Sequence, residues 1–107
     1  MKIIKINGDE YRMKMGIAPL AEFEELAEKP VSAMGENPRI RDLIYMFHCA
    51  LVGGGRKDMT LAESEELVEA YAEEEGIEAL ATVLGEVVSA AMGKQKKGQK
   101  KAPRSSN

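Results

Sequence analysis

The sequence predicts an α+β fold, predominantly α, in which an N-terminal β-hairpin precedes about four helices and a disordered basic tail. Three observations carry this. Apolar and polar residues alternate on both sides of Asn7-Gly8, four later segments repeat apolar residues at helical spacing, and residues 94–107 are Lys-rich without either pattern. At 107 residues there is room for one core, assigned to residues 1–93. Within it the hairpin spans 2–15 and the helices about 19–29, 38–52, 61–75 and 77–92.

Asn-Gly suits a type I′ turn, because both central residues need positive φ, which Asn tolerates and Gly adopts freely. A two-residue loop sets Lys5 opposite Glu10 and Ile4 opposite Tyr11, whereas a four-residue loop pairs Ile6 with Tyr11. Both registers keep Ile4, Ile6, Tyr11, Met13 and Met15 on one face. An isolated hairpin is marginal in water, so this face must pack on helices or on another subunit.

Gly16 ends the hairpin. Pro19 sits where a first helical residue would, and Leu20, Phe23, Leu26 and Ala27 then form a stripe until Pro30 stops the helix. After a connector over 31–36, Asn37-Pro38 reads as a helix start, with Asn as N-cap. Ile40, Leu43, Ile44, Phe47 and Leu51 follow at helical spacing, widened by Met46 and Ala50. This is the most hydrophobic helix, expected at the centre of the core, and Gly53-Gly54-Gly55 ends it.

Thr60-Leu61-Ala62-Glu63 fits a capping box. The helix it opens turns Leu61, Leu67, Val68, Tyr71 and Ala72 inward and ends at Gly76. Fraying is expected at Glu73, Glu74 and Glu75, because the macrodipole disfavours negative charge at a helix C-terminus. In the last helix Leu80, Val83, Leu84, Val87, Val88 and Ala91 are apolar, and Gly85 with several Ala leaves it slim enough for close packing.

Charge divides the chain more sharply than the net −3 suggests. Residues 1–93 hold nine Lys or Arg against eighteen Asp or Glu, whereas residues 94–107 hold six basic residues and no acid. The acidic body repels nucleic acid, and only the tail attracts it. The single Cys49 excludes an intramolecular disulfide, and no apolar run approaches bilayer length, so the chain reads as cytoplasmic. Aromatic residues make up only 5%, so the core is built from Leu, Ile, Val, Met and Ala and is thin, which self-association or a partner would reinforce.

Little in this pattern suits catalysis. His48 and Cys49 are adjacent on a helix, where side chains diverge by about 100° and cannot converge on one ion or proton. No second His or Cys completes a zinc site, so no metal or cofactor is expected. Gly53-Gly54-Gly55-Arg56-Lys57 lacks the spacing of a phosphate-binding loop and follows a helix instead of a strand. The carboxylates lie on solvated faces without the apolar pocket that acid–base chemistry needs. The expectation is a protein that is not an enzyme.

Lys5-Ile6-Asn7-Gly8-Asp9-Glu10-Tyr11, Met15-Gly16-Ile17 and Leu20 through Leu26 with Phe23-Glu24, in that order, resemble the opening of siphophage tail assembly chaperones. Asn37-Pro38 through Leu43-Ile44-Tyr45 looks like that family's second helix, and Thr60 to Tyr71 is similar to its acidic third. The resemblance spans about residues 3–92. It implies a protein of the host cytoplasm that binds the tape measure protein, keeps it soluble and helps recruit tail tube subunits, and that is missing from the finished virion. In many phages a programmed frameshift near the end of this reading frame makes a longer product, and Gly93-Lys94 lies where such a slip would fall.

Met side chains repack at little cost and suit the covering of apolar stripes. The partner surface is therefore sought on Met13, Met15, Met34, Met46 and Phe47, residues that core packing explains equally. No membrane contact and no specific nucleic-acid contact are expected. Two alternatives compete: a tail or head–tail component retained in the virion, and a small nucleic-acid-binding regulator. The regulator needs a basic recognition helix, for which Arg39 and Arg41 are nearly the sole candidates.

Overall fold

The computed structural model describes residues 2–34 and 38–100, with Met34 and residues 93–100 described by their backbone only. Strands β1 (Lys2–Ile6) and β2 (Asp9–Met13) pair antiparallel. Helices α1 (Ile17–Ala27), α2 (Ile40–Gly53), α3 (Leu61–Glu75) and α4 (Ile77–Lys100) follow, with a short 3-10 helix at Val31–Met34 between α1 and α2. The fold is the α+β, mostly helical one expected.

Of the two hairpin registers, the two-residue loop is the one formed: Ile4 faces Tyr11 and Lys5 faces Glu10. Asn7 and Gly8 have φ of 53° and 86°, as a type I′ turn requires. Ile4, Ile6, Met13 and Met15 are buried on one face and Tyr11 half-buried, while Ile3, Lys5, Arg12 and Lys14 face out.

Helix α2 touches β2, α1, α3 and α4, which makes it the hub of the molecule. Leu43, Ile44, Met46, Phe47, Cys49, Ala50 and Leu51 are all buried along it. Around them close Phe23 from α1, Val68 and Tyr71 from α3, and Leu80, Leu84 and Val87 from α4. Each large side chain enclosed in this way stabilises the fold by about 1.5–3 kcal/mol.

Several boundaries differ from the sequence expectation. Helix α1 starts at Ile17, two residues before Pro19, because the first turn needs no N–H from Pro19 and Leu20 donates back to the Gly16 carbonyl. It stops at Ala27, since Glu28 turns left-handed with φ 59° and its N–H bonds the Glu24 carbonyl. Helix α2 starts at Ile40 and not at Asn37-Pro38; Arg39 is its N-cap, and Asn37 lies outside the described residues. Ile40 is 57% exposed and is not part of the core stripe.

Thr60 and Glu63 form the expected capping box, each side chain taking the other's backbone N–H at 3.1 and 2.9 Å. Gly76, with φ 95°, closes α3 by donating to the Ala72 carbonyl, and its own carbonyl accepts from Leu80 in α4. The backbone of α4 is helical past the expected end at Met92 as far as Lys100, and residues 101–107, the rest of the basic tail, lie outside the described residues. Gly85 faces open space and mediates no close packing.

Candidate partner-binding surface

Four of the five residues sought as a partner surface are interior. Met13 and Phe47 have no exposure, Met46 has 3% and Met15 has 4%. The core packing that explains these residues equally is what they enter here: a Met on the apolar face of an amphipathic element satisfies a core as well as a partner, and α2 and the hairpin face one another. The side chain of Met34 lies outside those described. Met13 and Met15 do reach the floor of a groove between the hairpin and α4, but the rim is formed by Lys2, Glu86, Ala90 and Ala91, with a Lys2–Glu86 ion pair at 2.6 Å.

A larger cleft of about 580 Å³ opens where the hairpin exit, α1, α2 and the loop after α2 meet. Its walls are Lys14 and Gly16, then Pro19 and Glu22 of α1, His48, Cys49 and Val52 of α2, and Lys57 and Met59 of the loop. Beside it, at the first position of α1, Ile17 is 81% exposed. Two glycines let the walls come together. A Cβ on Gly53 would strike the Lys14 carbonyl and Pro19, and a Cβ on Gly54 would strike the Arg12 carbonyl. The Lys14 N–H donates to the Ala50 carbonyl at 3.0 Å, so strand exit and helix end are joined by backbone. The glycine run therefore serves close approach, and of its three residues only Gly55, with φ 121°, is placed by conformational freedom.

His48 and Cys49 both border this cleft, yet their chemistry separates them. Cys49 is 1% exposed, and burial pushes its thiol up to about 12, so it stays protonated at neutral pH. The His48 ring, its pKa lowered by burial, places Nδ1 2.7 Å from the Ser64 hydroxyl and ties α2 to α3. Ser64 is fully enclosed and out of reach of any substrate. No group of three or more His, Cys, Asp or Glu side chains able to hold a metal occurs among the described residues. Nor is any helix among them long and apolar enough to cross a membrane.

The sequence reading missed Asp42. Its carboxylate has no exposure and accepts from the Arg39 backbone N–H at 2.9 Å, from Arg39 Nε and Nη2 at 3.2 and 2.8 Å, and from Lys29 Nζ at 2.8 Å. The Arg39 hydrogen bonds, ahead of those from Lys29, hold this carboxyl far below the usual carboxylate range despite its burial. Arg39 Nη2 also reaches the Ala27 carbonyl at the end of α1. An acid three residues after a helix start is a legible capping signal, but the Asn37-Pro38 start hid it by shifting the frame. On the far side of the molecule, Arg56 lies over the Tyr11 ring at 4.7 Å and fastens the loop after α2 to the hairpin.

Compared with family models, curated proteins and solved structures, the chain has no match.

Proposed function

We propose that this chain is a tail assembly chaperone of a siphophage or prophage, working without catalysis in the host cytoplasm. It binds the tape measure protein, keeps it soluble and helps recruit tail tube subunits. The observation that carries the reading is the ordered run of motifs from Lys5 to Tyr71. Each motif falls on its own element: the Asn7-Gly8 turn, the Leu20–Leu26 stripe of α1, Leu43-Ile44-Tyr45 of α2, and the capped acidic helix α3.

The physical mechanism is cover and solvation. A long helical partner with exposed apolar stripes aggregates unless those stripes are shielded. With Met13, Met15, Met46 and Phe47 committed to the core, the contact moves to the cleft beside Ile17, where Pro19, Val52 and Met59 are apolar and Lys14, Glu22 and Lys57 rim them. Carboxylates exposed along α3, among them Glu65, Glu66, Glu69, Glu73, Glu74 and Glu75, keep the assembly soluble.

Co-expression tests this. The reading requires a long tape measure gene in the same genome; its product should be insoluble alone and soluble with the chain, and an Ile17→Asp variant should stay folded and lose that effect. Solubility that is the same with and without the chain would sink the reading. Mass spectrometry of purified particles addresses the competing virion component: a chaperone is missing from them.

A further inference from the structure

Helix α4 has 24 residues against 15 in α3, and the one-residue joint at Gly76 folds it back along α3. Among the described side chains, the last one of α4 packed against the core is Ala91. The helix then continues to Lys100, so its final turns run on past the beginning of α3. Those turns begin where the charge reverses. Residues 94–107 hold Lys94, Lys96, Lys97, Lys100, Lys101 and Arg104 and no acid, against eighteen acids and nine bases in residues 1–93.

We propose that the segment from Lys94 onward is an arm that grips the phosphate backbone of nucleic acid without reading its sequence. The chemistry of the segment selects this partner. A helix that docks in a protein groove needs apolar anchors three, four and seven residues apart. A helix seated in a membrane interface needs an apolar face, without which only the surface charge of anionic lipid holds it. The segment has neither, since Ala102 and Pro103 are its sole apolar residues. It also lacks aromatic residues, so it cannot stack on unpaired bases. Phosphates ask for none of these, because Lys and Arg neutralise them with release of counterions. On a helix advancing about 100° per residue, positions 94, 96, 97 and 100 fall within an arc of about 160°, and Gln95 and Gln99 lie outside it. The acidic body is repelled by the same polymer, which confines contact to the arm and makes binding weak and salt-sensitive. This inference is independent of the chaperone reading.

Fluorescence anisotropy of two labelled duplexes of unrelated sequence, titrated with the full chain over a series of low salt concentrations, tests the arm. Both duplexes should bind alike, and affinity should fall with salt at a log–log slope of about −4 to −5, for roughly four to six phosphates neutralised. A K94Q/K96Q/K97Q/K100Q/K101Q variant should melt at the wild-type temperature, bind at least about tenfold more weakly and show a flatter slope. Arg at the same five positions should restore binding, which separates charge from fold. The proposal is overturned if the full chain does not bind duplex at the lowest salt, or if the Gln variant binds as the wild type does. It is also overturned if polyglutamate or phosphatidylserine vesicles, at matched charge, displace labelled duplex from the chain as well as unlabelled duplex does.

Discussion

At its N-terminal end α2 is held by charges, whereas at its C-terminal end it is held by backbone lying on backbone. The first anchorage gathers Lys29, Arg39 and the Ala27 carbonyl around the enclosed Asp42 carboxylate. The second removes side chains altogether, so that Gly53 and Gly54 meet the carbonyls of Lys14 and Arg12. Both join α2 to neighbours distant in the chain, and they differ in how they fail. A charge cluster that reaches solvent through Arg39 and Lys29 can rehydrate part of what it loses. A backbone contact has no such recourse, because neither chain segment can swing away as a side chain does.

The largest effect is therefore expected at the glycine end. Gly54→Val should drive a branched side chain into the Arg12 carbonyl and destabilise the fold by about 3 kcal/mol, read from urea unfolding. A variant as stable as the wild type would show that the hairpin can lift off α2 freely, and the contrast between the two ends would collapse.

Asp42→Asn should cost about 2 kcal/mol, since charge-assisted hydrogen bonds are replaced while Arg39 and Lys29 regain water. The pH dependence sharpens this further. The folded-state pKa of Asp42 is depressed, so its contribution is fully present above the unfolded carboxylate range and is lost as pH falls through the folded value. The stability gap between wild type and Asp42→Asn should thus be constant above about pH 5 and shrink as pH drops below about 4. A gap that widens with acid would contradict the cluster.

Thr60→Ala removes a cap that is local and exposed, and should cost about 1 kcal/mol by the same unfolding measurement. It gives the scale of an anchorage that joins no distant elements. Smallest of all, Lys2→Ala breaks the Lys2–Glu86 ion pair, in which both side chains are over two-fifths exposed (42% and 53%). Its effect should stay under about 0.5 kcal/mol and vanish in high salt. A larger loss there than at Asp42 would mean that burial and multiple donors are not what distinguishes the cluster.

What could be read from the chain were the features written in local spacing. Alternation around Asn7-Gly8 specified the hairpin and its buried face, and Thr60 with Glu63 specified the start of α3. The stripe through Leu43, Phe47 and Leu51 marked α2 as the central helix. These depend on period and capping within a few residues, where the physics is independent of the rest of the fold. The hairpin loop length, which both registers left open, was closed by pairing Ile6 with Asp9.

Tertiary structure alone decided the rest. Met13, Met15, Met46 and Phe47 carry the same apolar signature whether they meet a partner or one another, and only the docking of the hairpin on α2 put them inside. Gly53 and Gly54 read only as the end of a helix until Arg12 and Lys14 were brought against them. Asp42 looked like one more carboxylate until Lys29 arrived from the end of α1. In each case the missing information was the identity of a neighbour far away in sequence. Periodicity determines which face of an element is apolar, and long-range packing determines what that face touches.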